Sequence, residues 1–327
     1  MNEFKALITV RFMSKGDEGD SRLNNNGVET EFNVWHAKRT EDEMIAILKD
    51  KDATVASSDP FTARVMENCP KLRVIARVGV GYDAVDLEAA TRLGIAVCTT
   101  PGLNHRSVAD YAMALLLQGA RKVSDNLELG RAGKWAWAQG RDMAGRTLGI
   151  VGLGAIGKEV AKRARGFDMK LLAYDIVEDK EFAASHGVTF VSLETLMRDS
   201  DFITLHANLD KTSHHMINEK TLGLMKRDAW LVNTSRGGVV DGKALYKVLK
   251  DKRIGGAAFD VFEIEPLPAD DPLRTLDNLY ISPHAAGASD DARINAKIMA
   301  ADNVINILNG KPPRSILNPE ALKKKRS

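Results

Sequence analysis

Cysteine is scarce in this chain. Cys69 and Cys98 are the only two among 327 residues, too far apart for a close-spaced metal or redox motif and too few for a disulfide scaffold. Cys98 ends the apolar run Ile95-Ala96-Val97-Cys98, where a buried, inert thiol is expected. Excess charge is lacking as well. Lys and Arg number 46 against 44 Asp and Glu, a formal net charge of +2, which gives no reason to expect nucleic acid or an anionic membrane as partner. The one basic run, Lys323-Lys324-Lys325-Arg326, reads as a solvated tail. No apolar stretch approaches the ~20 residues of a membrane span. Met1 to Val10 mixes acid and base without the apolar core of a leader, so the cytoplasm is the expected compartment. No set of His, Asp and Glu has ligand spacing, and His214 and His215, as neighbours, diverge on any regular element. No metal is expected.

What is present is alternation. With 44% hydrophobic and 28% charged residues the chain is globular in composition, and its length suits two domains. Short β-branched runs alternate with longer helical patterns, which predicts an α/β fold with parallel sheet. Strands are expected over Phe4 to Phe12, Val28 to Val34, Thr54 to Ala56, Leu72 to Ala76 and Ile95 to Thr99. The polar, Asn/Gly-rich stretch Ser14 to Gly27 reads as a surface loop. Thr40 with Glu43 forms a capping box for a helix through Leu48. Helices follow over Thr62 to Glu67 and over Leu87 to Leu93, the latter stopped by Gly94. Ser107 to Gln118 is an apolar helix, a second βαβ series runs from Thr147 to about Ser282, and Ala288 to Leu308 is helical again. There is no internal repeat of fixed period.

The strongest local motif is Thr147-Leu148-Gly149-Ile150-Val151-Gly152-Leu153-Gly154-Ala155-Ile156-Gly157, a buried-strand pattern running into G-x-G-x-x-G. Gly152 permits the tight strand-to-helix turn, Gly154 admits a pyrophosphate to the backbone, and Gly157 lets helix and strand pack closely. A helix pattern follows from Lys158 to Arg165, and its N-terminus offers amides and partial positive charge to the phosphates, with Ala155 and Ile156 expected at the cofactor. A second strand, Lys170 to Tyr174, ends in Asp175, about 20 residues on. A carboxylate there accepts the adenosine ribose hydroxyls and repels a 2′-phosphate. With Ile176 and Val177 next and no adjacent arginine, NAD is expected rather than NADP.

Three further segments follow: Leu231-Val232-Asn233-Thr234-Ser235-Arg236-Gly237-Gly238, Phe259-Asp260-Val261-Phe262-Glu263-Ile264-Glu265-Pro266 and Ile281-Ser282-Pro283-His284-Ala285-Ala286-Gly287. In that order they resemble the arginine, acidic and histidine motifs of the D-isomer-specific 2-hydroxyacid dehydrogenases. The resemblance extends over nearly the whole chain, Arg77-Val78-Gly79-Val80-Gly81-Tyr82-Asp83 included. It implies two Rossmann-like doubly wound parallel-sheet domains with a cleft between them. One, substrate-binding, is discontinuous, residues 1–103 with 288–327; the other, residues 104–287, binds NAD. It also implies a small 2-keto or 2-hydroxy acid substrate and a homodimer.

The residue types suit that chemistry. Arg236 can anchor a carboxylate, because a planar guanidinium meets it with two aligned hydrogen bonds and keeps its charge. His284 can transfer the proton, its ordinary pKa of ~6.5 lying near working pH. Glu265 stands where the family has the histidine's carboxylate partner; Glu263 is the competing carboxylate outside the Glu-Pro position. The resemblance further implies that Val80 and Gly81 offer amides to the substrate carboxylate and that Asp260 contacts the nicotinamide amide. Thr234 and Ser235 then line the cofactor, with Val108, Gly287 and the loop of His206 and Ala207 near the nicotinamide. Asn208 replaces the family's proline in that loop, which puts the loop's rigidity in question.

Phosphoglycerate, glyoxylate/hydroxypyruvate and D-lactate dehydrogenases all fit as subfamilies, and the run from Arg77 to Ala90 is most similar to the phosphoglycerate dehydrogenases. Many of those carry an arginine in a Val-Arg-Ser motif where this chain has Val55-Ala56-Ser57. A hydroxypyruvate/glyoxylate reductase is therefore the alternative. A third reading, from another class, is a non-enzymatic corepressor of the same fold that uses NAD binding as a sensor. Trp135 and Trp137, after the helix of Ser107 to Gln118, either shape a pocket or seal a dimer contact.

Overall fold

A computed structural model describes residues 3–34 and 39–324. It separates into two compact units, Met1–Asn104 with Ser289–Ser327, and His105–Ala288. Lys325 and Arg326 of the basic run lie outside the described residues.

The first unit alternates β1 (Phe4–Ile8), α1 (Glu18–Asn24), β2 (Val28–Phe32), α2 (Glu41–Leu48), β3 (Ala53–Ala56), α3 (Ala63–Glu67), β4 (Val74–Arg77), α4 (Leu87–Leu93) and β5 (Ala96–Cys98). The strands pair in parallel in the order β2-β1-β3-β4-β5. Successive side chains leave a strand on opposite faces, and both faces are covered. Ala6, Ile8, Val55, Val74 and Ala76 pack against Ala300, Ala301, Val304 and Ile307 of the C-terminal helix Asp290–Leu308. Leu7, Ile75 and Val97 pack the other way against Met44, Val65 and Ala90. Small residues on both sides of the first layer let helix and sheet approach closely.

The capping box of α2 is present, with Thr40 accepting from the Glu43 amide and Glu43 from the Thr40 amide. Gly94 ends α4 at φ +71°, the left-handed conformation glycine adopts without steric cost. Both thiols are buried, and burial pushes the Cys98 thiol up to about 12. One expectation fails: Ser14 to Gly27 contains α1 and is not an open loop. Asp17 caps it by accepting from the Asp20 amide at 3.1 Å. Asp20, Gly19 and Leu23 are buried, and the Asp20 carboxylate takes the Gly16 amide at 2.6 Å and the Thr30 hydroxyl at 2.5 Å. Polar residues that look solvated in sequence are here internal hydrogen-bond partners, and tertiary contacts carry a helix too short to stand alone.

The second unit begins with α5 (His105–Arg121) and α6 (Val123–Arg131), followed by β6 (Thr147–Val151), α7 (Ala155–Arg165), β7 (Lys170–Tyr174), α8 (Lys180–His186), β8 (Val188–Phe190), α9 (Leu193–Asp199) and β9 (Phe202–Leu205). It continues with α10 (Glu219–Leu222), β10 (Trp230–Asn233), α11 (Gly242–Lys250), β11 (Gly256–Phe259) and β12 (Leu279–Ile281). Its seven strands are parallel in the order β12-β11-β10-β9-β6-β7-β8. Sequence order reverses between β6 and β9, and the carboxyl ends of strands at such a reversal are where open α/β sheets take ligands. Among the described residues no helix is long and apolar enough to cross a membrane.

Candidate active site

The glycine turn after β6 meets the demands read from its sequence. Gly152 has φ +92°, and a Cβ on it would lie 2.7 Å from the Ala207 nitrogen and from the His206 carbonyl carbon. A Cβ on Gly157 would lie 2.1 Å from the Gly152 carbonyl oxygen. Neither position admits a side chain. Gly154 differs, because a Cβ there would meet nothing within 4 Å. The protein leaves that space open, as a pyrophosphate cradle requires, and Gly154 supplies no side-chain cap to α7. Ala155 and Ile156 begin that helix, so the amides of its first turn remain for an anion.

Asp175 follows β7. Its Oδ2 accepts from the Leu153 amide at 2.6 Å and its Oδ1 from the Val177 amide at 3.0 Å, which ties the carboxylate to the glycine turn. Each oxygen keeps a lone pair for a ribose hydroxyl. A test of the open space follows. Gly154→Asp should keep or raise the melting temperature, since aspartate is a strong N-cap, while lowering NADH affinity at least about tenfold by placing a like charge against the pyrophosphate. Thermal melts and fluorescence titration check both; unaltered NADH affinity would remove Gly154 from the cradle.

Beyond the carboxyl ends of β9 and β10, which pair Leu205 with Asn233, the buried His206 Nδ1 and Thr234 Oγ1 have no hydrogen-bond partner among the described residues. Buried polar groups are rarely orphaned in the absence of a ligand or water. Burial holds His206 neutral, with its pKa pushed to about 3, and its Nε2 lies 2.9 Å from Thr204 Oγ1. Ser235 commits its hydroxyl to Asn233 Oδ1 at 2.8 Å. The residues therefore fit a dinucleotide: an open glycine cradle, a carboxylate tied to the glycine turn, and unsatisfied polar atoms at the neighbouring strand end. Val108 and Ala286 are buried within this unit, and Gly287 is half-buried.

The loop after β9, which carries Asn208, is cross-linked by its own hydrogen bonds. Ser213 Oγ donates to the Asn208 carbonyl at 2.6 Å and accepts from the Asp210 amide at 2.8 Å. Asp210 Oδ1 takes the Thr212 amide and hydroxyl, each at 2.7 Å.

The chemistry-bearing side chains leave three adjacent strands. Arg236 stands three residues past β10 in extended conformation, and its Nη1 donates to the Ser235 carbonyl at 2.8 Å. Past β11, Glu265 Oε1 accepts from the Phe262 amide at 2.9 Å. Past β12, His284 Nδ1 meets Glu265 Oε2 at 2.7 Å. Nδ1 is thereby occupied, so Nε2 is the nitrogen left to give or take a proton. Hydrogen bonding to Glu265 holds the His284 pKa above the ordinary imidazole value, against burial; the charges of Glu265 and Asp260 add to the rise and Arg236 opposes it. Burial alone would raise the Glu265 carboxyl, but the His284 bond, the Phe262 amide and the charges of His284 and Arg236 together bring it below its usual value. Arg236 is thus near enough to act electrostatically on both.

Asp260 has a role that sequence reasoning missed. It is 1% exposed. Its Oδ1 takes the Ser282 hydroxyl at 2.6 Å and the Ala285 amide at 2.8 Å, and its Oδ2 takes the Ala286 amide at 2.8 Å. Its carbonyl accepts from the His284 amide at 2.9 Å. The carboxylate expected at the nicotinamide amide is first of all the clamp of the histidine loop. That clamp holds His284 at φ +54°, a left-handed backbone uncommon for histidine and found where surroundings over-determine it.

His214 and His215 do not diverge. His215 is itself left-handed at φ +51°, so the pair is not on a regular element, and the two rings stack at 3.9 Å. His215 Nε2 lies 2.5 Å from Glu263 Oε1, so the two acidic candidates take different histidines. Among the described residues no group of three or more His, Cys, Asp and Glu is placed to hold a metal.

Val80 and Gly81 belong to the first unit, in the loop after β4. Val80 is exposed and Gly81 half-buried. Gly79, at φ +116°, donates its amide to Thr100 Oγ1 at 2.8 Å and accepts from the Thr100 amide at 2.9 Å. That pairing fixes the start of the loop.

Residues 113–286 match the model of the D-isomer specific 2-hydroxyacid dehydrogenase NAD binding domain. A glyoxylate reductase of Korarchaeum cryptofilum is 46% identical over 302 residues, 90% of this chain and 91% of that one. A D-3-phosphoglycerate dehydrogenase of Methanocaldococcus jannaschii is 40% identical over 283 residues, 85% of this chain and 54% of that protein. The crystal structure of D-lactate dehydrogenase from Aquifex aeolicus, complexed with NAD and lactic acid, matches at a TM-score of 0.82 and 27% identity, covering 96% of this chain and 99% of that one.

Proposed function

The chain belongs to the D-isomer-specific 2-hydroxyacid dehydrogenases, and on that premise we propose that it is an NAD-dependent reductase of small unphosphorylated 2-keto acids, of the glyoxylate and hydroxypyruvate class. The unit His105–Ala288 carries the dinucleotide, and the unit made from both chain ends carries the substrate-recognition loop. The nicotinamide, when bound, supplies the hydride to the substrate's C2. Arg236 takes the carboxylate and polarises the carbonyl. His284, whose protonated form Glu265 favours, delivers its Nε2 proton to the developing alkoxide and ends neutral. The amides of Val80 and Gly81 are the further candidates to bind the substrate carboxylate.

The observation that carries this reading is the Glu265–His284 bond of 2.7 Å with Arg236 acting on both groups. Two facts favour an unphosphorylated substrate over the phosphoglycerate reading. At the end of β3, where an arginine would receive a phosphate, Ala56 is fully buried. Arg39, which reaches Asp59 after β3 and Asn33 after β2, is buried against Asp59 at 2.5 Å, so its charge is already paired. The glyoxylate reductase relative points the same way.

A homodimer in the cytoplasm completes the proposal. Trp135 and Trp137 are 99% and 77% exposed just past α6, with Leu127 exposed on it; large aromatics left bare in this way suit a contact with a second copy. The decisive experiment is NADH and NADPH consumption with glyoxylate, hydroxypyruvate, pyruvate and phosphohydroxypyruvate. Glyoxylate or hydroxypyruvate should be preferred, with NADH. Preference for phosphohydroxypyruvate would restore the phosphoglycerate reading, and tight NADH binding with no turnover would favour the sensor.

A further inference from the structure

We propose that His215 and Glu263 form a second histidine–carboxylate pair whose task is positional: it staples the loop carrying Glu265 across the loop carrying Arg236. This rests on the reductase reading above and adds residues to it that act through others.

Three loops leave the carboxyl ends of β9, β10 and β11, and they touch in a chain. The His215 amide donates to the Gly238 carbonyl at 2.9 Å, joining the first loop to the second. At Gly237, directly after Arg236, a Cβ would lie 1.9 Å from the Phe262 carbonyl carbon and 2.2 Å from the Glu263 nitrogen, so the second and third backbones are in contact. The His215 imidazole then reaches Glu263 at 2.5 Å and closes first onto third. Its ring is fixed by the stack on His214 and by a left-handed backbone. Glu263 lies inside a tight turn whose ends are joined by the Phe262 amide and Glu265 Oε1 at 2.9 Å. Fixing Glu263 therefore fixes the carboxylate that meets His284.

An exposed ion pair contributes only ~0–1 kcal/mol to stability, and both partners here are more than a third exposed. Global stability is not where such a pair would act most. Placement is another matter: a misplacement of ~1 Å away from the chemistry can cost about a hundredfold in rate. The groups facing His284 are Glu265, Asp260 and Arg236; His215 faces Glu263 and stacks on His214.

The test compares Glu263→Ala, Glu263→Gln and His215→Ala in the full chain. Imidazole NMR titration of His284 is read beside keto-acid reduction and NADH binding. Glu263→Ala should lower kcat about tenfold or more, leave NADH affinity in place, and move the His284 titration down toward the free-imidazole value of ~6.5. Glu263→Gln should recover most of both, because the amide oxygen still accepts from His215 Nε2. The double variant His215→Ala/Glu263→Ala should be no worse than either single change. A Glu263→Ala protein with parental kcat and His284 titration, altered only in melting temperature, would overturn the staple, as would Glu263→Gln falling as far as alanine. The titration reads His284 with or without turnover, so a parent inactive on every keto acid sinks the reductase reading without deciding this one.

Discussion

His284→Ala lowers kcat for keto-acid reduction by about 10²–10⁴-fold, the contribution of a positioned acid–base group, while NADH binds as it does to the parent. The separation of the two effects is the informative part. His284 is 55% exposed in its side chain and is held by Glu265 and by the Asp260 clamp. It follows β12, at one edge of the sheet, whereas the glycine turn and Asp175 follow β6 and β7. Removing the imidazole strips the proposed proton donor without touching the cradle around Gly152 and Gly154. Steady-state kinetics with a fluorescence titration for NADH measure both. A variant that loses turnover and NADH affinity in equal proportion would show that the histidine builds the cofactor site and is not the acid.

Glu265→Gln moves the pH dependence, and the sign follows from which form of His284 reacts. In the proposed mechanism reduction uses the protonated imidazole. Hydrogen bonding to Glu265 is the largest cause raising the His284 pKa, and burial and Arg236 oppose it. In the parent, kcat/KM for the keto acid is therefore flat at low pH and falls as pH rises through a value above ~6.5. The glutamine removes the carboxylate charge and leaves the opposing influences in place, so the alkaline limb moves to lower pH. At pH 8 the variant should be about 10–100-fold slower than the parent, with the gap narrowing on acidification. Oxidation of the hydroxy acid uses the neutral imidazole, and its rising limb should move the same way, to lower pH. Full pH–rate profiles in both directions check this; identical limbs in parent and variant would break the link between Glu265 and the ionisation that limits the rate.

How much of this was legible beforehand depends on the range of the interaction. Features set by near neighbours in sequence could be read directly. The Gly152 turn, the capping box of Thr40 and Glu43, the Gly94 stop and the strand ending at Asp175 all answer to backbone conformation and short-range hydrogen bonding. Glu265 and His284, 19 residues apart, became a pair through motif resemblance, because no local rule brings them together. Where neither source applied, the reading failed or stayed silent. The helix at Glu18–Asn24 depends on where Asp20 and Leu23 are buried. The Asp260 clamp depends on two neighbouring parallel strands delivering residue 260 beside residues 282–286. The stacking of His214 on His215 required a left-handed φ, which histidine sequence alone does not announce.

The first unit's sheet has a consequence for how the chain is made. One of its faces is covered by the helix Asp290–Leu308, whose Ala300, Ala301, Val304 and Ile307 complete that core, whereas the whole His105–Ala288 unit is encoded before that helix. On the ribosome the inserted unit can close first, since domains form as units during synthesis. The amino-terminal strands must wait, with Ala6, Ile8, Val55 and Val74 uncovered, until the final stretch emerges. That interval is when a nascent chain of this design is most open to association with its neighbours, and premature termination within the last helix would leave it there permanently.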